Sequence, residues 1–197
     1  MKAYRRWGVP AWEMIQENPY RLCHTGIGLD FHAAERIAFA MQIPANSTKR
    51  LIAGFRWLLE TAALEGHTCL PFADFHSVAL KGLNIQEQDF QAGFEEAAEE
   101  QEIVLYHAAD GDYVYLIEYY QAEDFIASSI AAKLAFSSPD EFDCAKAIEQ
   151  EEQDTGISYA VQQKKAISAA FSRGIMVLTG GPGTGKTTTL NGVIHLC

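Results

Sequence analysis

A chain of 197 residues with 48% hydrophobic side chains is long enough to bury a core and has the composition of a globular protein. It has no apolar run near the roughly 18 residues of a membrane span, and "MKAYRRWGVPAWEM" lacks the apolar stretch of a signal peptide. The net charge of −11 is uneven: residues 1–86 carry 9 basic and 7 acidic side chains, residues 87–154 carry 2 and 19, and residues 155–197 carry 4 and none, so any phosphate contact is expected outside the middle block.

In chain order, "WGVPAWEMIQENPYRLCHTGIGLDFHAAERIAFAMQIP" reads as helix, tight turn, helix. Trp12, Ile15 and Tyr20 supply the first apolar face, and Ala34, Ile37, Ala38 and Met41 the second. The pattern resembles a helix-hairpin-helix, a unit whose G-h-G turn presents amides to a DNA phosphate. Two registers fit. A Gly26/Gly28 pair sets the downstream anchors on His32 and Glu35; a register starting at Gly28 sets them on Ala34 and Ile37, with Asp30 in place of the second glycine. Packing of the helix faces favours the second, which puts a carboxylate beside the phosphate position. A hairpin used only as scaffold is the alternative reading.

The next helix, "ANSTKRLIAGFRWLLETAALEG", opens on capping residues at Asn46 to Thr48 and repeats Leu51, Phe55, Leu58 and Leu59 at helical spacing. Lys49, Arg50 and Arg56 give it a basic edge. With Gly28 they are the candidate DNA contacts, although such basic edges are often only solubilising. From His67 the order is a short extended piece, two helices, and two strands, "EIVLYHA" and "YVYLIEYY", joined around Asp110-Gly111. This β-α-α-β-β order is winged-helix-like. The second helix, "DFQAGFEEAAEEQ", is strongly acidic, which suits a protein-contact or spacer role better than DNA reading. "AFSSPDEFDCAKAIEQEEQDTGIS" reads as a connecting helix and linker.

Near the C-terminus, "IMVLT" (175–179) is a short apolar run expected to be a buried strand. Gly180-Gly181-Pro182-Gly183-Thr184-Gly185-Lys186-Thr187 then matches G-x-x-x-x-G-K-[ST], and "TTTLNGVIHL" continues as a helix. The glycines let backbone amides wrap a phosphate without Cβ clashes, and the new helix turns its positive end toward the anion. The expected nucleotide contacts are Gly181, Pro182, Gly183, Thr184, Gly185, Lys186, Thr187 and Thr188. Lys186 and Thr187 are the expected catalytic pair, Lys186 reaching the β- and γ-phosphates of ATP and Thr187 holding Mg2+. Cys23, Cys69, Cys144 and Cys197 are isolated and the histidines scattered, with no zinc spacing. Unpaired thiols and a cytoplasmic setting are expected.

The order of these segments carries a resemblance. "SYAVQQKKAISAAFSRGIMVLTGGPGTGKTTT" resembles the entry to the motor domain of superfamily 1 DNA helicases, where a glutamine in Q-x-x-A-I reads the adenine edge; Gln163 holds that position. "ENPYRL", the helical hairpin, "EGHTCLP", the acidic winged module and the glycine-rich loop together resemble the N-terminal and pre-motor region of the RecD-like ATP-dependent DNA helicases, relatives of the exodeoxyribonuclease V alpha subunit. The resemblance implies an ATP- and magnesium-driven motor moving 5′ to 3′ on single-stranded DNA, in repair or recombination.

The fold expected is mainly α with a small β-hairpin. Residues 1–66 form a helix-hairpin-helix-like domain, 67–122 a winged-helix-like module and 123–154 an acidic connector. Residues 155–197 begin a RecA-like ATPase domain. A P-loop strand needs neighbours on both sides of it in a sheet. The family's acidic magnesium motif, arginine fingers and second RecA-like lobe do not occur here, nor does its small N-terminal domain. The chain is therefore expected to be an inactive piece of a longer protein, with a protein partner engaged through the acidic 87–154 region. Two other functions compete: an interaction module whose P-loop regulates a partner complex, and another P-loop ATPase of the AAA type.

Overall fold

The computed structural model describes residues 2–24, 26–135 and 143–197. They divide into two compact units, Met1–Glu123 and Asp124–Cys197. The stretch 136–142, within the segment expected to be a linker, lies outside the described residues.

The first unit opens with α1 (Lys2–Trp7) and α2 (Ala11–Glu17). Asn18 then accepts from the Tyr20 amide at 3.0 Å, and with Pro19 at the first position it starts a 3-10 turn over Pro19–Cys23. The hairpin leads into α3 (Phe31–Ala40), where Asp30 is the N-cap and its carboxylate accepts from the Ala33 amide at 3.3 Å. Phe31, Ala34 and Ala38 form the buried stripe of α3, with Ile37 and Met41 half-buried. Trp12, expected on the first apolar face, is instead 64% exposed. Its helix is only 7 residues long, and burial passes to Ala11, Pro19, Tyr20 and Leu22 around it.

α4 (Thr48–Leu64) is the spine of this unit, burying Leu51, Ile52, Phe55, Leu58, Leu59 and Ala62. β1 (Cys69–Pro71), α5 (Phe72–Gly82), α6 (Glu87–Glu99), β2 (Ile103–Ala108) and β3 (Gly111–Leu116) follow. The antiparallel sheet has the order β1-β3-β2, with Cys69 opposite Tyr115 and Ile103 opposite Leu116. This is the winged-helix arrangement read from the sequence, with a two-residue turn at Ala109-Asp110 and Gly111 at φ +151°. The last strand is shorter than expected. Pairing stops at Leu116, opposite the first residue of β2, and Ile117 opens α7 (Ile117–Ala135).

The helical hairpin and the winged module share one core. Phe55 of α4 meets Phe75 of α5 and Phe90 of α6 edge to face, each pair at 5.5 Å between ring centroids. Gly93 of α6 lies against Leu51 and Gly54 of α4 against Leu83; a Cβ at either would sit under 3 Å from those side chains. Close approach of the helices requires glycine at both positions.

The second unit contains α8 (Cys144–Thr155), α9 (Val161–Ser172) and α10 (Lys186–Leu196). Asp143 caps α8 by accepting from the Lys146 amide, and Gly156 ends it in the left-handed region at φ +71°. Ile148, Tyr159 and Ile167 are its buried cluster, with Phe171, Val193 and Leu196 packed against them. Gly192 lets α10 approach: a Cβ there would meet the Tyr159 hydroxyl at 2.8 Å and Ile167 at 2.9 Å. The run 175–179, expected as a strand, forms no ladder, because the described residues provide no neighbouring strand for it, and Val177 is 81% exposed.

Candidate functional site

The glycine-rich loop runs straight into the start of α10. Gly183 and Gly185 both adopt φ +76°, which disfavours any side chain, and Gly185 is the N-cap of α10. The Gly185 carbonyl takes the first helical bond, from the Thr189 amide at 2.9 Å, and also the Thr189 hydroxyl at 3.0 Å. The amides at the start of α10 therefore carry the partial positive charge of a helix N-terminus. The loop is braced from within: the Thr184 hydroxyl donates to the Gly181 carbonyl at 2.9 Å.

Lys186 folds back across this loop. Its ammonium donates to the carbonyls of Gly180 at 2.6 Å and Gly181 at 2.7 Å. These are neutral partners, and the whole 155–197 segment contains no Asp or Glu. Gly181, Pro182, Gly183 and Thr187 are exposed at the mouth, while Thr188 is half-buried. A Cβ at Gly183 would meet nothing within 4 Å, so the space over the loop is open. An exposed cradle of glycine amides, one lysine and a hydroxyl, with no carboxylate nearby in sequence, fits a polyphosphate and its magnesium ion.

Gln163, distant in sequence, is brought to the loop. Its Oε1 accepts from the Ala160 amide at 2.8 Å, which fixes the start of α9, and its Nε2 donates to the Gly185 carbonyl at 3.4 Å. Two supporting residues were not singled out by sequence reasoning. Glu152 accepts from the Tyr159 amide at 2.7 Å and from Lys164 at 2.6 Å, and these bonds hold its carboxyl below the usual carboxylate range. Tyr159 is 4% exposed and packs against Gly192. Glu152 sits inside an acidic run that reads as solvated surface, and Tyr159 belongs to no periodic pattern, so neither gave a signal.

The candidate DNA contacts fare differently. Arg50 forks onto Glu35 at 2.9 and 3.0 Å and also donates to the carbonyls of Ala45 and Leu83. Arg56 bonds Glu118 at 2.6 Å, Glu102 at 2.7 Å and Glu60 at 3.3 Å. Their side chains are 13% and 15% exposed. Both guanidinium groups of the expected basic edge are thus ion-paired within the fold. Lys49, which donates to the Glu17 carbonyl at 2.9 Å, keeps an exposed charge.

The hairpin register is corrected as well. Gly26 and Gly28 both have positive φ, +99° and +66°, and flank the buried Ile27. Asp30 is the cap of α3 and not a turn residue. The Ile27 and Gly28 amides both bond to the His24 carbonyl, so they are already satisfied.

A helical hairpin and winged module precede, in one chain, a lysine-bearing glycine loop that opens a helix. Comparison with known proteins narrows the class. Residues 1–69 match the family model described as the ATP-dependent RecD2 DNA helicase HHH domain, and residues 163–197 match an AAA domain. Two curated proteins from Mycobacterium tuberculosis, strains CDC 1551 / Oshkosh and ATCC 25618 / H37Rv, are both named RecBCD enzyme subunit RecD. Each is 29% identical over 178 residues, which cover 89% of this chain and 26% of theirs. The chain is similar to these RecD proteins over most of its own length, and it spans about a quarter of the length of those relatives. Among the described residues, no helix is long and apolar enough to cross a membrane.

Proposed function

We propose that the chain supplies the helical front and the phosphate-binding loop of an ATP-dependent helicase that moves 5′ to 3′ along single-stranded DNA. One observation carries this reading: a single chain joins a RecD2-type helix-hairpin-helix domain to a glycine-rich loop at which Gln163 and Lys186 are gathered. ATP supplies the phosphoanhydride whose hydrolysis drives movement. Lys186 would leave its two carbonyl partners for the β- and γ-phosphates, and the amides from Gly181 to Thr188 would cradle the remaining charge. The Thr187 hydroxyl would hold magnesium, and the Gln163 amide would face the adenine edge.

The 197-residue chain by itself is expected to turn over no ATP. Activating water and stabilising charge on the γ-phosphate require an acid and usually an arginine; residues 155–197 offer no acid and only Arg173. Single-stranded DNA should bind weakly, with a Kd of about 10⁻⁴–10⁻⁶ M at physiological salt, since Arg50 and Arg56 are internally paired. A cytoplasmic setting, and assembly with a protein partner through the acidic 87–154 region, belong to the same proposal; the Mycobacterium tuberculosis relatives are by name subunits of an enzyme complex. An AAA-type ATPase with an unrelated front would share the match at 163–197, and the match at 1–69 favours the helicase. The test is Lys186→Ala in a helicase-length protein. Unwinding should fall below about a tenth of the parent rate while DNA binding persists; unwinding above that level would refute the assignment.

A further inference from the structure

A cavity of about 540 Å3 lies within the first unit, between the 3-10 turn and α3 on one side and α4 on the other. It is the size of a ligand or anchor-residue pocket, and nothing in the nucleotide site uses it. Ile52 and Trp57 form part of its apolar lining, with Leu64 at 90% exposure among the lining residues. The Trp57 indole is held in place by stacking on Phe31 at 5.2 Å and by an edge contact with His32 at 4.8 Å. A fixed aromatic surface of this kind is a preorganised contact that loses little entropy on binding.

The charges around the cavity favour one sign of partner. Five carboxylate residues line it against three lysines and arginines. Two of those cations are ion-paired, Arg56 with Glu60, Glu102 and Glu118 and Arg21 with Glu17, while Lys49 donates to a backbone carbonyl and keeps its charge. Asp30 and Glu100 are exposed, and neither is ion-paired among the described residues. Cys23, also in the lining, reports the same field, its thiol pushed up to about 11 by burial and then by Glu60, Asp30 and Glu35. A phosphate backbone entering here would meet uncompensated carboxylates. An arginine or lysine would find both a carboxylate and an apolar wall for its methylene stem.

We propose that this cavity is a protein-docking groove that takes a short basic segment of a partner protein, in which arginine or lysine alternates with aliphatic residues. The aliphatic side chains cover Ile52 and Leu64, and the cationic stem lies along Trp57 toward Asp30 and Glu100. The proposal is independent of nucleotide binding at the glycine-rich loop.

The experiment is an NMR and calorimetric titration of the full 197-residue chain with an acetylated, amidated peptide alternating leucine and arginine. The same peptide with glutamine for arginine and a thymidine oligonucleotide run in parallel. The basic peptide should shift the Trp57 indole and Leu64 resonances, and the glutamine peptide should bind at least about fivefold more weakly. The double variant Asp30→Asn, Glu100→Gln, in which Asn keeps the N-cap of α3, should weaken the basic peptide by about fivefold to tenfold with an unchanged circular dichroism spectrum. Thr61→Arg, which sets a cation in the lining, should weaken it further. Equal binding of the two peptides, or unchanged affinity in both variants, would overturn the proposal. Tighter oligonucleotide binding by the double variant at the same resonances would also overturn it, making the groove a nucleic-acid site.

Discussion

The two units differ in how they treat charge. Among the described residues, Met1–Glu123 buries 18 hydrophobic side chains in one cluster, and Asp124–Cys197 buries 3. In the densely packed unit, Arg50 and Arg56 are half-buried and answered by carboxylates. In the thinly packed one, Lys186 meets only backbone carbonyls, and the loop beneath it is exposed. The large core fixes its two half-buried arginines as structural fasteners, as Glu152 fixes Lys164 in the smaller unit. At the glycine-rich loop, Lys186 and a set of amides stay available for a ligand, and lower local stability is common at binding loops. Basic residues in this chain therefore cannot be read as a uniform anion-binding set.

The contrast can be broken at its densest point. Phe55→Ala removes a fully buried ring that touches Phe75 and Phe90 and should cost about 3–5 kcal/mol. Urea unfolding with hydrogen exchange as the probe should place the loss in residues 1–123, leaving α9 and α10 protected. A uniform loss across both units would mean that they unfold as one.

Arg56→Ala should cost about 1.5–3 kcal/mol, because it leaves Glu102 and Glu118 without their charged partner. It also alters the acid limb of stability. Burial raises the Glu118 carboxyl, but the hydrogen bond and charge of Arg56 outweigh it and hold the group below its ordinary value. A carboxyl depressed in the folded state stabilises fully above its unfolded pKa of about 4.3 and loses that contribution as pH falls through the folded one. The parent should therefore lose stability across that acidic window, and the variant should show a flatter profile in urea midpoints taken from neutral to acid pH. Identical slopes would remove Arg56 as the cause.

Gly192→Val tests the smaller unit. Its side chain would collide with Tyr159 and Ile167, and overpacking of this kind costs about 1–3 kcal/mol. Exchange should accelerate in α9 and α10 and stay unchanged in α4. The smallest effect is chemical. With its thiol pushed up to about 11, first by burial and then by nearby carboxylates, Cys23 should alkylate slowly at about pH 8. Exposed Cys197 should react first; mass spectrometry of the partially modified chain reads the order.

What the sequence made legible was local. The glycine-rich loop and its lysine are contiguous, the D-G turn sits between alternating strands, and α4 repeats its apolar residues at helical spacing. All three appear in the fold. What stayed hidden depends on partners far along the chain. Arg56 reads as a surface charge until Glu102 and Glu118 arrive from positions 46 and 62 residues away. Asp30 looks like a turn residue until its carboxylate is seen capping α3, which returns the hairpin to Gly26 and Gly28. The run 175–179 has the composition of a strand, but a strand is defined by its neighbours. Gln163 was legible by spacing from the loop, whereas its second bond, to the Ala160 amide, was not.

The most direct test is an amide NMR titration of Mg-ATP into the 197-residue chain and into Lys186→Ala, with steady-state phosphate release measured alongside. The expected result is a set of shifts confined to Gln163 and to Gly181 through Thr188, lost in the variant, with no sustained release of phosphate by either protein. Shifts centred in residues 1–123, or shifts in the loop that survive Lys186→Ala unchanged, would contradict the assignment of this loop as the nucleotide site.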